Sequence, residues 1–165
     1  MLSKQQLRWF EDLSQLDGVS GHERNVAVYL HEAYEAMGYD VFYDNLGSIM
    51  AHKPSKNKDA KKVMVLAHMD EIGFLVKDIL PTGVLKMHPV GGWFDQILLA
   101  HRVHVHTRAN SIYKGTIGSI PPHMLTPKER LKPMTIDQMI VDVGAEDKDA
   151  VLKMGIQIGD MIVVQ

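Results

Sequence analysis

Apolar residues recur at helical spacing over the amino-terminal quarter of this 165-residue chain. Ser3 and Gln6 form a capping-box pattern ahead of apolar residues that recur every third position, which predicts a helix ending at Gly18. Ser20 and Glu23 repeat the pattern and predict the start of a second helix. We expect both helices to pack through one apolar face.

Strand-like patterns follow the two helices. Residues 39–43 and 48–52 predict a hairpin around the turn residues 44–47. The apolar run at residues 63–67, bounded upstream by a turn-forming segment, predicts a buried strand. This order of two helices, a hairpin and a strand is typical of the start of an α/β domain.

The pattern changes after residue 72, where helical spacing gives way to short strands. Short strands separated by turns at this spacing indicate a small β-barrel. We therefore expect an α/β part at residues 1–72 and a β-rich barrel module at residues 73–165. The module's predicted strands are residues 74–77, 84–87, 97–107, 112–117 and 139–143 and a final strand after Asp160, with short helices beginning near Pro127 and at residues 147–154.

An imidazole and a carboxylate, His68 and Asp70, end the predicted strand at residues 63–67. In an extended backbone, positions i and i+2 face the same side, with Cα atoms roughly 6–7 Å apart. His68 and Asp70 therefore project together, whereas Met69 and Glu71 point the other way. Polar side chains at the carboxyl end of a strand can build a metal site. One imidazole and one carboxylate do not complete the roughly three to five ligands of zinc or cobalt.

Composition narrows the classes of function. A formal net charge of −2 gives no electrostatic case for binding nucleic acid or an anionic membrane. No segment approaches the ~20 apolar residues of a membrane span, and no signal-peptide pattern is present. The absence of cysteine excludes disulfides and thiolate metal sites and fits a reducing cytoplasm.

Two other groups of side chains are candidates for chemistry. His104 and His106 share a predicted strand face and could hold a metal, although outward-facing polar residues are routine on alternating strands. Asp70 beside Glu71 suggests a glycosidase acid and base, which need carboxyl groups roughly 5–10 Å apart. Consecutive strand residues point to opposite faces, which argues against that pair. The sequence has no nucleophile elbow, phosphate loop or dinucleotide fingerprint.

Seven short motifs occur in order along nearly the whole chain. They are Ser20-Gly21-His22-Glu23, Asp44-Asn45-Leu46-Gly47, Ala67-His68-Met69-Asp70-Glu71-Ile72-Gly73-Phe74, Val90-Gly91-Gly92-Trp93, Gly118-Ser119-Ile120-Pro121-Pro122-His123, Val141-Asp142-Val143-Gly144-Ala145 and Gly155-Ile156-Gln157-Ile158-Gly159-Asp160. In this order they closely resemble the M42 family of metallo-aminopeptidases, the tetrahedral or deblocking aminopeptidases. Some members of that family have been labelled cellulases or endoglucanases.

The resemblance implies the start of a metallopeptidase α/β domain with an inserted β-barrel module that makes dimer contacts. It implies removal of N-terminal residues from peptides by two divalent metal ions, zinc or cobalt. By the same resemblance His68 is a metal ligand, and Asp70 is the catalytic carboxylate that fixes the His68 ring. The implied partners are peptide substrates and further copies of the chain, with dimers assembling into a tetrahedral dodecamer, and the implied location is the cytoplasm.

Family members continue beyond the segment that matches residues 155–160 here, and that further part carries the general base and most of the metal ligands. We therefore expect this chain to represent the amino-terminal portion of such an enzyme and to be inactive alone. Two alternatives stay open. The chain could be a non-enzymatic self-association module, or, on the strength of the family labels, a glycoside hydrolase.

Overall fold

Secondary structure falls into two groups along the chain. The computed structural model describes residues 1–165 apart from the side chain of residue 122. It divides them into one unit at Met1–Glu71 and another at Ile72–Gln165. Helices and a hairpin form the first unit, and a closed barrel forms the second, so the fold is mixed α/β with a β-barrel module, as predicted.

The first helix, α1 (Lys4–Ser14), begins at the predicted capping box. The Gln6 backbone N–H donates to Ser3 Oγ over 3.2 Å, and the Ser3 N–H donates to Gln6 Oε1 over 2.8 Å. The helix ends with Gln15 as its C-cap, so the predicted end at Gly18 is wrong. Leu7 and Phe10 are exposed, and the predicted apolar face is not buried. A three-residue spacing drifts around a helix that has 3.6 residues per turn, which weakens such a face.

The second helix, α2 (Arg24–Ala36), buries Val26 and Ala27. It ends before Gly38, whose φ of +76° lies in the left-handed region that favours glycine. The hydroxyl of Tyr29 donates to Asp12 over 2.7 Å and ties α2 to α1.

A two-stranded antiparallel hairpin follows, as predicted. Its strands are β1 (Asp40–Tyr43) and β2 (Ile49–His52). One carboxylate oxygen of Asp44 accepts hydrogen bonds from the backbone N–H groups of Leu46, over 2.9 Å, and Ser48, over 2.8 Å. These local bonds fix the turn.

The predicted buried strand at residues 63–67 is wrong. The structure forms no helix or strand over residues 53–70, and the side chains of residues 63–66 are 79–89% exposed. An apolar run becomes a strand only where another strand supplies hydrogen bonds and an apolar surface covers its side chains. No described strand pairs with this run.

The second unit is a closed antiparallel barrel in the order β3-β4-β7-β6-β5-β8. Closure removes the exposed edges that an open sheet would carry. The strands are β3 (Gly73–Ile79), β4 (Val84–Val90), β5 (Arg102–His106), β6 (Ile112–Ser119), β7 (Met139–Asp142) and β8 (Met161–Val164), accompanied by the short helices α3 (Pro127–Arg130) and α4 (Lys148–Lys153).

Alternate residues of the barrel strands fill its interior. Val103 and Val105 of β5 are fully buried, together with Phe74, Leu85 and Ile162. Burying each such side chain contributes roughly 1.5–3 kcal/mol. The predicted strand at residues 97–107 is too long at its start, because Ala100 has a φ of +67° and β5 begins only at Arg102.

A buried carboxylate fixes the entry to β8. Asp160 is almost fully buried, and its Oδ2 accepts from the backbone N–H of Gln157 over 2.8 Å. Arg108 Nε lies 3.7 Å from Asp160 Oδ1 and supplies an opposite charge. Among the helices that the structure describes, none is both long and apolar enough to cross a bilayer.

Candidate metal-binding site

The segment at residues 69–71 is fixed to the loop that follows α1. Val19 and Glu71 form an isolated parallel bridge, and Val19 is fully buried. The Glu71 N–H donates to the Gly18 carbonyl over 2.8 Å, and the Gly18 N–H donates to Glu71 Oε1 over 3.1 Å. Asp70 therefore lies beside an anchored piece of backbone, although the run before it has no strand partner.

Gly18 packs closely against α2. A Cβ atom at Gly18 would lie 2.9 Å from Val26 Cγ2 of α2 and 4.0 Å from the Met69 carbonyl oxygen. A separation below 3.0 Å forces a neighbouring atom to move. The glycine thus lets the loop pack closely against Val26 of α2.

His68 and Asp70 are in direct contact, although the strand from which the sequence pattern placed them on one side does not form. The His68 Nδ1 lies 2.9 Å from the Asp70 carbonyl oxygen and 3.1 Å from Asp70 Oδ1. Both oxygens accept hydrogen bonds, so Nδ1 carries the proton and donates it. The neutral ring then has an unprotonated Nε2, and the side chain is 85% exposed. The geometry prepares one nitrogen of His68 to bind a ligand.

Ser20 holds the other oxygen of the Asp70 carboxylate. Its hydroxyl donates to Asp70 Oδ2 across 50 residues of sequence. The hydrogen bond from Ser20, assisted by the bond from the His68 ring, lowers the pKa of Asp70 below its ordinary value, while desolvation opposes it. Asp70 is therefore a carboxylate that accepts on both oxygens, from a hydroxyl on one side and an imidazole on the other.

The predicted capping role of Ser20 and Glu23 is wrong. The N-cap residue of α2 is Glu23, and its side chain makes no capping bond. The Glu23 carboxylate accepts instead from the Gly21 N–H over 2.8 Å. Gly21 has a φ of +85°, which is incompatible with the first turn of a helix. The sequence signal for this arrangement was therefore the glycine that follows Ser20.

Glu71 faces a different partner from Asp70, as its position in the sequence suggested. Its carboxylate accepts from the Gly18 N–H, whereas the Asp70 carboxylate meets Ser20 and His68. The two acidic side chains therefore do not form a matched acid and base around one substrate bond.

His104 and His106 lie on the same face of β5, with ring centroids 6.2 Å apart and planes at 77°. The side-chain amide of Gln165 contacts the His104 ring. Trp93 is a packing anchor: its Nε1 donates to the Gly73 carbonyl over 2.9 Å, and its ring stacks on Phe74 at 4.7 Å.

The His68 ring has the form of a ligand to a divalent metal ion. A neutral imidazole with one nitrogen hydrogen-bonded to a carboxylate and the other exposed is the form that binds zinc or cobalt. Without cysteine, nitrogen and oxygen atoms are the available donors. An ion at this position would find one ligand in His68, whose ring is hydrogen-bonded to Asp70, and Asp70 in turn accepts from Ser20.

The sequence of this chain is similar to those of proteins named as aminopeptidases. A family model described as M42 glutamyl aminopeptidase matches residues 47–165. The Escherichia coli protein FrvX is 38% identical over 92% of this chain and 42% of its own length. The glutamyl aminopeptidase of Lactococcus lactis is 33% identical over 92% of this chain and 43% of its own length. The chain thus spans about two fifths of the length of these relatives.

Solved structures agree with the fold. The TET aminopeptidase of Thaumarchaeota archaeon SCGC AB-539-E09 superposes with a TM-score of 0.88 at 35% identity, over 96% of this chain and 44% of that protein. An endoglucanase from Thermotoga maritima superposes with a TM-score of 0.76 at 31% identity, over 93% of this chain and 43% of that protein. The Pyrococcus horikoshii TET1 peptidase superposes with a TM-score of 0.83 at 26% identity, over 96% of this chain and 46% of that protein. That peptidase is described as able to assemble into a tetrahedron or a large octahedral shell.

The family model covers well over half of the chain, and the superpositions extend over nearly all of it. The match includes the segment that carries His68 and Asp70. The chain belongs to the M42 family, described as M42 glutamyl aminopeptidase.

Proposed function

We propose that these 165 residues form part of a metal-dependent aminopeptidase that removes N-terminal residues from peptides, with His68 as one ligand of a site for two divalent ions, zinc or cobalt. The observation that carries the proposal is the pair of acceptors at His68 Nδ1, which in the neutral ring leaves Nε2 as the unprotonated nitrogen of an exposed side chain. When bound, such ions activate water and polarise a carbonyl.

In this proposal, residues of this chain hold the ligand His68 in place and do not react with the substrate themselves. Asp70 holds the proton of His68 on Nδ1 and raises the basicity of Nε2. Ser20 holds Asp70, and Glu71 fixes the neighbouring backbone through Gly18. Glu71 is engaged at Gly18, so it is not the general base in our proposal.

We further propose that activity needs the part of the fold that the relatives possess outside the matched region. A lone imidazole supplies one ligand, and metal-dependent hydrolysis also needs further ligands and a base within roughly 2.6–3.2 Å of the attacking water's proton. The relatives are more than twice as long as the match, which leaves room for both.

Hydrolysis of aminoacyl-anilides with added cobalt or zinc tests this proposal. We expect no turnover from the 165-residue chain, and turnover from a fusion to the portion of the Lactococcus lactis enzyme that the match leaves out. His68→Ala should abolish the fusion's activity. His52→Ala, which removes an exposed hairpin histidine beside Asp40, should not. A folded fusion that is inactive, or whose activity survives His68→Ala, would contradict the proposal.

Self-association is a second proposed function, supported by two separate observations. The apolar side chains of residues 63–66 are exposed, and contiguous exposed apolar surface favours association. The Pyrococcus horikoshii TET1 peptidase is described as able to assemble into a tetrahedron or a large octahedral shell. We propose that the chain forms homo-oligomers, which light scattering at increasing concentration tests directly. A monomer at every concentration would overturn this.

A glycoside hydrolase receives less support. The Thermotoga maritima structure carries the endoglucanase name, but Asp70 and Glu71 serve different partners here. The geometry around His68 favours the peptidase.

A further inference from the structure

We propose that Ser20 is a positioning residue of the metal site: its hydroxyl fixes the Asp70 carboxylate and, through it, the tautomer and orientation of the His68 ring. The inference rests on the proposed function and adds to it a residue from a different part of the sequence. Ser20, Asp70 and His68 form one continuous chain of hydrogen bonds.

The two carboxylate oxygens of Asp70 accept hydrogen bonds from two different residues. Oδ2 accepts from the Ser20 hydroxyl, and Oδ1 accepts from His68 Nδ1 over 3.1 Å. The terminal torsion of a carboxylate is broad and roughly two-fold, so one hydrogen bond alone does not define its plane. Ser20 supplies the second bond. The carboxylate plane, and with it the acceptor for His68, is then fixed.

Ser20 is itself held on both sides. Val19 before it is fully buried and bridged to Glu71. The His22 N–H donates to the Val19 carbonyl over 2.7 Å, and the Gly21 N–H donates to Glu23. The hydroxyl therefore starts from a defined backbone. A group that serves a binding site must be held by its own neighbours in this way.

A purely structural role for the Ser20 hydroxyl is not supported. The N-cap of α2 is Glu23, so removing the hydroxyl does not remove a helix cap. Ser20 is also exposed, which leaves room for the extra methyl group of threonine. Ser20→Ala should therefore change His68 far more than it changes the unfolding temperature, and Ser20→Thr should restore the wild-type state of His68.

Two-bond proton–nitrogen NMR correlation of the ¹⁵N-histidine-labelled chain tests this inference. The His68→Gln variant identifies the His68 signals among the nine histidines. We expect an Nδ1–H tautomer at His68 in the wild-type chain and a mixture with the Nε2–H form in Ser20→Ala. Ser20→Thr should return the wild-type pattern. Ser14→Ala, which removes a hydroxyl bonded to the Glu11 carbonyl at the end of α1, should leave His68 unchanged.

The possible outcomes test the His68 site and the role of Ser20 separately. A wild-type His68 without the Nδ1–H tautomer would overturn the proposed site itself. A wild-type Nδ1–H tautomer that persists unchanged in Ser20→Ala would overturn the role of Ser20 and leave the site standing. Failure of Ser20→Thr to restore the signals, or an equal change in Ser14→Ala, would also count against Ser20.

Discussion

His68 Nδ1 lies 2.9 Å from the carbonyl oxygen and 3.1 Å from the carboxylate of Asp70, so one residue supplies both acceptors to one ring nitrogen. Replacing Asp70 with alanine removes the carboxylate and leaves only the carbonyl. Loss of the carboxylate that orients a ligating imidazole typically weakens metal binding by roughly 10–100-fold.

We therefore expect Asp70→Ala to weaken zinc binding at His68 within that range, measured by titration of the chain with zinc. The matched control is Asp40→Ala, which removes the carboxylate 3.6 Å from His52 on the hairpin. Equal zinc affinity in wild type and Asp70→Ala would show that Asp70 does not support His68.

Strand β6 offers a matched pair of glycines that tests the barrel packing. A Cβ at Gly115 would lie 2.9 Å from Val141 Cγ1 and 3.1 Å from the Asp142 carbonyl oxygen. A Cβ at Gly118 would meet only Ile140 carbons at 3.9 Å. We expect Gly115→Ala to lower the free energy of unfolding by roughly 1–3 kcal/mol.

Gly118→Ala should be neutral or stabilise the barrel by up to about 1 kcal/mol, because alanine restricts the unfolded chain. Urea denaturation of both variants measures the difference. If Gly115→Ala proved as stable as Gly118→Ala, the close approach of β6 to β7 would be wrong.

The hairpin turn should depend on pH through Asp44. Hydrogen bonds donated to the Asp44 carboxylate by the Ser48 side chain, and then by the Ser48 backbone, lower the pKa of Asp44 below its ordinary value. A lowered folded-state pKa contributes stability that is present above the unfolded pKa, about 3.9, and is lost as the pH falls through the folded value. Asp44→Asn should therefore destabilise the hairpin at neutral pH and make less difference in acid.

Hairpin amide signals followed by NMR from pH 7 to 2 measure this effect, with Asp59→Asn in the loop after the hairpin as the control. A difference between wild type and Asp44→Asn that stays constant across the titration would contradict the assignment.

Sequence reasoning succeeded where the determining interactions are local. The capping box at Ser3 and Gln6 uses atoms three residues apart, and the alternation at Val103 and Val105 follows from the strand period. These features need no knowledge of the rest of the chain.

It failed where distant partners decide the outcome. Residues 63–66 have the composition of a buried strand, but pairing depends on another strand that no local pattern supplies. Ser20 satisfied the rule for a helix cap, yet its hydroxyl reaches Asp70 across 50 residues. No spacing rule predicts such a contact, although Gly21 next to it argued against a helix start.

The exposed apolar run at residues 63–66 should promote self-association. Val65→Lys places a charge in the middle of it and should lower the mean mass in light scattering at high concentration. Leu131→Lys adds the same charge at an exposed leucine of the barrel unit, outside the run, and should change the mass less. Equal effects of the two variants would show that the run is not the associating surface.

Titration of the ¹⁵N-histidine-labelled chain with zinc, observed at the ring nitrogens of His68, tests the central claim most directly. We predict that Nε2 of His68 responds to zinc while Nδ1 keeps its proton and its bond to Asp70. His68→Gln should remove that response. A zinc response confined to His104 and His106, or one at His68 through Nδ1, would contradict the assignment of His68 as the ligand.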